Sequence, residues 1–246
     1  MSRIIFVTGT DTGVGKTFLV ASLLFHLRQS GVNALAMKPF CSGGTEDVDL
    51  IQAIQGNDAP REQVNPFYFS EAVAPLVAAR KLRQPIQLSQ VLGVIHTMHV
   101  QCACLIIEGS GGLLVPLGEG FTVADVIANL NCDVVVVSRN KLGTINHTLL
   151  TVEALRARGV QRIKVVLMGQ SSADSSAWNN AAFLAETMAN IEVFTLPYLG
   201  AGASRIGLVK RNVRKIKKTL AQIADPDSFS PRSSKGLRNQ AAKRRD

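Results

Sequence analysis

A stretch rich in glycine and threonine, ending in lysine and threonine, separates the first apolar segment from the first helical one. It spans residues 9–17, reads GTDTGVGKT and is called the P-loop below. Small residues let main-chain N–H groups approach phosphate oxygens, and the helix start adds a favourable dipole. Lys16 can then reach the β- and γ-phosphates of a nucleotide, and the Thr17 hydroxyl can ligate Mg²⁺. We therefore predict a nucleoside triphosphate site whose phosphates face Gly13, Val14 and Gly15.

The P-loop departs in one place from the strict pattern G-x-x-x-x-G-K-[ST], because its first glycine would fall on Thr10. A glycine-rich turn without a ligand is the alternative interpretation, which Gly-Lys-Thr at the start of a helix disfavours. The related ATPases of cell division and plasmid partition carry a second lysine at the start of the loop. That position is Asp11 here, which argues against membership of that set.

A second candidate group is the carboxylate of Glu108. It ends the apolar run 104–108 and stands directly before Gly109-Ser110-Gly111-Gly112. A carboxylate at such a place needs a partner, and Mg²⁺ bridging phosphate oxygens supplies one. The alternative is a structural or helix-capping glutamate.

The segments between these motifs alternate between short apolar runs and helical spacing. Continuous apolar runs are typical of parallel strands covered on both faces. We predict one doubly wound α/β domain with a mostly parallel sheet, whose ligands lie at the carboxyl ends of the strands. The predicted strands are Arg3–Thr8, Ala34–Met37, Cys104–Glu108, Asp133–Ser138, Ile163–Met168 and Val193–Leu196. The predicted helices are Lys16–Ser30, Asp47–Gln55, Leu88–Val100, Thr144–Arg158, Ala177–Ala189 and Ile206–Ala224.

The net charge of +9 is concentrated at the carboxyl end of the chain. Residues 210–246 hold 12 Lys/Arg and three Asp, whereas residues 1–209 hold 15 basic and 15 acidic residues. The neutral body is therefore not a nucleic-acid-binding surface. We predict a domain over residues 1–225 and a basic, disordered tail over residues 226–246. Weak contact of that tail with nucleic acid is the only such contact expected.

The other residue types indicate a reduced protein without a membrane span. The four cysteines, Cys41, Cys102, Cys104 and Cys132, form no C-x-x-C pair and are expected to be reduced and mostly buried. The first apolar stretch is too short for a signal peptide, and the longest apolar runs are far below the ~18 residues of a membrane span. A cytoplasmic location is expected. The four histidines lack ligand spacing and are predicted to be surface or interface residues.

Five motifs in one order resemble those of the dethiobiotin synthetase family. After the P-loop come KPFCSG at 38–43, VNPFYF at 64–69, EGSGG at 108–112 and KLGTINH at 141–147. They resemble the family's K-P-x-x-S-G, V-N-P-[FY]-x-[FL], E-G-A-G-G and K-L-G-[CT]-I-N-H. The resemblance covers residues 3 to about 200 and implies an ATP-dependent enzyme of biotin synthesis. That enzyme carboxylates 7,8-diaminopelargonic acid with CO₂ and closes the cyclic urea, with release of ADP and phosphate.

The resemblance also implies roles for particular residues. Lys38, with Lys16, would be catalytic, because a fixed cation can stabilise a carbamate and its mixed anhydride with phosphate. Ser42 and Thr12 would bind the substrate. Thr144 and Asn146, at a helix start, would bind its carboxylate across a homodimer interface, with simple helix capping as the alternative. The further nucleotide-binding residues would be Glu108, Gly109, Ser110, Gly111, Gly169, Gln170, Pro197, Tyr198 and Leu199.

The metal carboxylates and the base site are less sharply defined. The resemblance implies Mg²⁺ on Thr17, Glu108 and an aspartate early in the helix after KPFCSG. Asp47 fits that position better than Asp49, which stays open. The family often has Asn-Asp after the fifth predicted strand and reads adenine with that Asn. This chain has Gly169-Gln170 at those positions.

Two alternatives to the synthetase remain. One is a cobyrinic-acid-type amide synthetase, which would need a glutamine-hydrolysing domain. The other is a nucleotide switch that binds a protein partner.

Overall fold

Six parallel strands form the central sheet of the computed structural model, which describes residues 2–172, 174–188 and 190–225. The strands are β1 (Arg3–Gly9), β2 (Ala34–Met37), β3 (Phe40–Ser42), β4 (Phe67–Phe69), β5 (Cys104–Glu108), β6 (Pro116–Gly118), β7 (Phe121–Thr122), β8 (Asp133–Arg139), β9 (Ile163–Met168) and β10 (Glu192–Leu196). The helices are α1 (Lys16–Gln29), α2 (Glu46–Gln55), α3 (Arg61–Val64), α4 (Pro75–Leu82), α5 (Leu88–His99), α6 (Val123–Ala128), α7 (Thr144–Arg156), α8 (Asn180–Thr187) and α9 (Ile206–Ala224).

The strand order brings the predicted motifs to one edge of the sheet. The order is β10-β9-β8-β1-β5-β2, so β1 lies between β8 and β5. In the register, Val7 is opposite Glu108 and Gly9 is opposite Val137. Met37 is opposite Ile107, and the next residue of each strand therefore brings Lys38 beside Glu108. The loop after β1 thus meets the ends of β2, β5 and β8 at the carboxyl edge, where open α/β sheets bind ligands.

The strands carry the core because the sheet is covered on both faces. Helices α1, α2 and α9 contact one another on one side, while α5, α6, α7 and α8 contact each other in succession. Strands β1, β5, β8 and β9 are almost entirely buried, and each buried Val, Leu or Ile contributes about 1.5–3 kcal/mol. The edge strand β10 is only half-buried, contrary to the expectation of burial on both faces, whereas the opposite edge strand, β2, is fully buried.

Helix α9 has the predicted bounds and is strongly amphipathic. Its apolar side, including Val209, Val213, Ile216 and Leu220, is buried. Its carboxyl end is held by two cations from the sheet. The Lys164 ammonium donates to the carbonyls of Gln222, Ile223 and Asp225 at 2.6, 3.2 and 3.2 Å, and the Arg3 guanidinium donates to the carbonyl of Ala224. Cations at this end of a helix complement its dipole.

The buried Lys164 should make stability depend on pH. The net effect of its surroundings lowers the pKa of Lys164 from 10.5 to about 8, and burial is the largest cause. The charge of Arg3 also lowers this pKa, whereas the carboxylates of Glu192, Asp225 and Asp133 raise it. Between pH 8 and 10.5 the unfolded chain keeps a proton that the folded chain has released, so stability rises with pH. The full gain is on the order of 3 kcal/mol. Urea unfolding should show this gain in wild type relative to Lys164→Met, and parallel pH curves for the two proteins would contradict it.

The structure also differs from the sequence predictions. The elements α3, α4, α6, β3, β4, β6 and β7 were not predicted, because each is short and lacks a clear period. The predicted helix Ala177–Ala189 is a 3₁₀ turn (Ser175–Trp178) followed by α8, and Ala189 lies outside the described residues. His26 was predicted to lie at the surface or at an interface. The prediction of a surface position is wrong, because the side chain of this α1 residue is buried, with 7% exposure.

Three further expectations concern cysteines, membranes and the tail. All four cysteines are free and buried. Across the described residues, no helix combines the length and the apolar character needed to cross a membrane. The predicted basic tail, residues 226–246, lies outside the described residues.

Candidate active site

The P-loop connects β1 to α1, and its lysine is held by main-chain oxygens. The Lys16 ammonium donates to the carbonyls of Asp11 at 2.9 Å and Gly111 at 2.6 Å. It therefore joins the P-loop to the loop after β5. Burial lowers the pKa of Lys16 to about 8, although the Glu108 carboxylate opposes this effect. A phosphate in the loop would supply the anionic partner that these carbonyls replace.

Lys38 lies between two carboxylates beside the P-loop. Its ammonium donates to Glu108 Oε1 at 2.9 Å and to Asp47 Oδ2. The Thr17 hydroxyl donates to the same Glu108 Oε1 at 2.8 Å. Burial alone would lower the pKa of Lys38, but the Glu108 and Asp47 carboxylates outweigh it and raise that pKa above its usual value. The ammonium therefore stays charged at every physiological pH.

The two aspartates of α2 point in different directions. Asp47 contacts Lys38, whereas Asp49 accepts from Arg61 at 2.6 Å and from the Thr45 hydroxyl at 2.9 Å. The bond from Arg61 holds the pKa of Asp49 below its ordinary value. The structure brings Asp47, and not Asp49, to Lys38, because a separation of two residues turns a helix by about 200°.

The oxygen atoms around Glu108 fit a magnesium ion. Glu108 is 1% exposed, and its Oε2 has no hydrogen-bond partner among the described residues. The Thr17 hydroxyl and the Asp47 carboxylate are hard oxygen donors on the same side of the P-loop. Within the described part of the chain no group of three or more His, Cys, Asp and Glu side chains could hold a metal. A site with few protein ligands suits Mg²⁺, which keeps waters and phosphate oxygens as its other ligands.

The short strands β3 and β4 fix Lys38 and Ser42 in place. They pair in parallel, and Phe40 stacks on Phe67 with ring centroids 4.8 Å apart. The Asn65 amide donates to the Lys38 carbonyl at 2.8 Å. Ser42 ends β3, and its hydroxyl is buried without a partner in the described structure. Asn65 was not assigned a role from the sequence, although it stands in the VNPFYF motif.

Two clefts flank the P-loop. One, of about 460 Å³, contains Thr12 and Asp11, with Leu114, Leu150 and His147 among the residues that complete its wall. The other, of about 480 Å³, lies between the starts of α2 and α9. Its wall includes Thr17, Asp47 and Arg205.

The predicted substrate residues at the start of α7 are not on the wall of the first cleft. Thr144 is buried, and its hydroxyl lies 2.7 Å from that of Ser138. Asn146 is exposed. Within one chain the structure therefore brings Thr12, but neither Thr144 nor Asn146, to this cleft.

The predicted base-binding residues lie at the ends of β9 and β10. The Gly169 N–H donates to the Leu196 carbonyl at 2.8 Å, and a Cβ on Gly169 would lie 2.6 Å from the Tyr198 nitrogen. The Gln170 amide turns back to the Met168 carbonyl at 2.7 Å. The ends of β9 and β10 are therefore in close contact, and the Gln170 amide is hydrogen-bonded within its own segment.

The loop after β5 contributes mostly through its main chain. The Ser110 hydroxyl donates to the Phe40 carbonyl at 2.6 Å, and the Gly109 N–H donates to the Val7 carbonyl at 2.9 Å. Gly111 has a φ of +64°, a conformation that favours glycine, and it presents the carbonyl that receives Lys16. The Ser110 side chain is thus tied to β3.

Solved structures with related folds include proteins of several kinds. The chain resembles pNOB8 ParA bound to nonspecific DNA with a TM-score of 0.56 at 10% identity, covering 93% of this chain and 97% of that one. It resembles the cobyrinic acid a,c-diamide synthase of Mycobacterium smegmatis, with bound ATP analogue and magnesium, with a TM-score of 0.56 at 14% identity, covering 94% and 98%. At these identities the likeness concerns the fold alone.

The family comparisons carry the identification. An AAA domain family profile matches residues 3–204. Together with the P-loop and the parallel sheet, this match defines a P-loop nucleotide-binding protein of the α/β class. The chain belongs to the ATP-dependent dethiobiotin synthetase family. It is 39% identical over 201 residues to the enzyme of Anaeromyxobacter dehalogenans strain 2CP-C, covering 80% of this chain and 90% of that one. It is 39% identical over 163 residues to that of Methanococcus vannielii, covering 66% and 77%.

These findings confirm three predictions from the sequence. They confirm the doubly wound P-loop fold and the family. They also confirm the activity, that of an ATP-dependent cyclo-ligase that forms dethiobiotin. The relatives are dethiobiotin synthetases, and none of the comparisons favours a partner-binding nucleotide switch.

Proposed function

We propose that this chain makes dethiobiotin with Lys38 as the cation that stabilises the reacting carbamate. The observation that carries this proposal is the position of Lys38. It is buried, its ammonium donates to the Glu108 carboxylate, and the Thr17 hydroxyl of the P-loop donates to the same carboxylate oxygen. One amine of the diamine adds to CO₂, and the carbamate oxygen attacks the γ-phosphoryl group of ATP. The second amine then attacks the carbamoyl carbon, and phosphate leaves as the ring closes.

The residues around Lys38 would divide the work by position. Lys16 would neutralise the β- and γ-phosphate oxygens during transfer. Ser42, whose buried hydroxyl has no partner in the described structure, would hydrogen-bond the carbamate or an amine. Phosphoryl transfer depends on positioning and on charge neutralisation more than on covalent help, and this arrangement would supply both.

We propose Thr17, Asp47 and Glu108 as the residues that hold Mg²⁺. Two observations support this choice: Glu108 Oε2 has no partner in the described part of the chain, and the Thr17 hydroxyl donates to Glu108 Oε1. These residues would place Mg²⁺ beside the P-loop, where it would supply positive charge that offsets the negative charge of the phosphate groups. Asp47 would contribute either directly or through a water molecule.

We propose that the nucleoside base lies beside residues 168–170 and 197–199. These segments end the strands on the side of the P-loop away from Lys38, and a Cβ on Gly15 would lie 3.1 Å from the Met168 side chain. Gly169 has no side chain and the Gln170 amide is engaged with Met168. Main-chain groups would therefore make most of the base contacts, which favours loose selection among bases.

We propose a homodimer in which the start of α7 completes the substrate site of the partner subunit. Asn146 is exposed and off the cleft of its own chain. The exposed Leu114, Leu142 and Leu150, at 57%, 79% and 57% exposure, supply apolar surface that a second copy could cover.

We also propose a cytoplasmic location, because four free, buried cysteines suit a reducing compartment.

The direct test is formation of the product. The purified full chain is incubated with 7,8-diaminopelargonic acid, bicarbonate and MgATP, and the cyclic urea is detected by mass spectrometry. The expected result is one ADP and one phosphate per dethiobiotin. ATP hydrolysis without the cyclic urea would refute the proposal.

Truncation should separate the domain from the tail. Removing residues 226–246 is expected to leave turnover and melting temperature nearly unchanged, because Lys164 and Arg3 already hold the end of α9. Binding to polyanions should weaken, and it should fall steeply with salt. Truncation before Ile206 is the contrast, since it removes the buried face of α9 and should unfold the protein. Loss of ring closure on removing the tail alone would mean that the tail acts at the site.

A further inference from the structure

Arg139 is the last residue of β8, and its guanidinium lies against the P-loop. Its Nε and Nη2 are 3.3 and 3.2 Å from the Gly13 carbonyl oxygen, and Nη2 is 3.4 Å from that of Thr12. In the part of the chain that the structure describes, no carboxylate forms an ion pair with Arg139. Its guanidinium therefore interacts chiefly with loop carbonyls.

The strand that carries Arg139 is fixed to the same loop. The Thr10 N–H donates to the Val137 carbonyl at 3.0 Å, and the Thr10 hydroxyl donates to that of Ser138 at 3.1 Å. Gly13 has a φ of +68°, and a Cβ on it would lie 2.9 Å from Arg139 Nη2. The glycine thus leaves room for the guanidinium, and a side chain would push it away.

The contacts with Arg139 determine where the N–H groups of the same two peptides point. Because a peptide is planar and trans, its N–H points away from its carbonyl. The carbonyls of Thr12 and Gly13 face Arg139, so the N–H groups of Gly13 and Val14 face the other way. Among the hydrogen bonds of the described residues, neither N–H has a protein acceptor. A cation at the oxygen also polarises the peptide and strengthens its N–H as a donor.

We propose that Arg139 is a positioning residue for nucleotide binding. Its guanidinium orients the Thr12 and Gly13 peptides so that the N–H groups of Gly13 and Val14 are presented to phosphate oxygens. The inference rests on the proposed function only in taking the ligand to be a nucleoside triphosphate. It predicts an effect on nucleotide affinity and not on the chemical step.

The test compares Arg139→Ala, Arg139→Lys and, as a charge-matched control, Arg156→Ala at the exposed end of α7. The Kd for MgADP is measured by calorimetry, and kcat and KM for ATP by ring closure. Arg139→Ala should raise Kd and KM about tenfold with kcat within about threefold, as loss of a charge-assisted bond does. Arg139→Lys should recover most of the affinity, because the ammonium can still donate to one carbonyl. Arg156→Ala should match wild type.

A double-mutant cycle with Gly13→Ala tests the geometry. The new Cβ displaces the guanidinium in wild type but has nothing to displace in Arg139→Ala, so the two changes should raise Kd by less than the product of their separate effects. A Kd within twofold of wild type for Arg139→Ala, or full additivity, would overturn the inference. The Kd measurements use MgADP binding alone, so they test the inference even if the wild-type protein makes no dethiobiotin.

Discussion

Changing Lys38 to alanine is expected to lower the rate of ring closure by about two orders of magnitude or more. The Kd for MgADP should change only a few-fold, because the ion pairs of Lys38 in the described structure are with Asp47 and Glu108, which lie outside the P-loop. A buried cation stabilises negative charge that develops in the transition state, and it does so strongly where water is excluded. The measurements are kcat from product formation and Kd from calorimetry, on the same preparation.

The contrast for this prediction is Lys16→Ala. Lys16 bridges the P-loop and the loop after β5, and its loss should weaken nucleotide binding and turnover together. A second variant, Lys38→Met, keeps the volume of the side chain and controls for a collapsed cavity. Equal turnover in Lys38→Ala and wild type would remove Lys38 from the mechanism. Equal loss of binding in the Lys16 and Lys38 variants would make Lys38 a nucleotide-binding residue.

Neutralising the carboxylates that we propose as metal ligands is the second change with a large expected effect. Glu108→Gln and Asp47→Asn should each raise the Mg²⁺ concentration for half-maximal activity by at least about tenfold. Each change keeps the shape of the side chain and removes a negative charge that a hard cation prefers. Glu108→Gln should have the larger effect, because Glu108 is nearly inaccessible and its Oε2 has no hydrogen-bond partner among the described residues. The measurement is initial rate against Mg²⁺ at fixed ATP.

Asp49→Asn is the matched control, because it makes the same chemical change two residues along the same helix. Its carboxylate is bound to Arg61 and Thr45, so the Mg²⁺ requirement should stay close to that of wild type. If Asp49→Asn raised it and Asp47→Asn did not, the assignment of the metal carboxylate would be wrong by two residues. Calorimetry of Mg²⁺-dependent ADP binding would separate a metal effect from a loss of folding.

Much of the fold could be predicted because its signals are local. Unbroken apolar runs predicted all six strands of the main sheet to within one residue at each end, and the spacing of Val209, Val213, Ile216 and Leu220 predicted α9. The P-loop follows from glycine conformations and a helix start, which a short stretch of sequence contains in full. Among the elements that were missed, β3 and β4 are short strands that pair with each other across the segment that contains α2 and α3.

The sequence alone determined the class of the protein, its family motifs and a set of candidate residues. Only the tertiary structure decided how those residues meet. The register of β2 on β5 brings Lys38 to Glu108, and the turn of α2 brings Asp47 toward Lys38 while Asp49 turns to Arg61. The structure also revealed Asn65 beneath Lys38 and Arg139 behind the P-loop. The physical reason is that propensity and spacing act within a few residues, whereas these contacts depend on strand pairing and helix packing between distant segments.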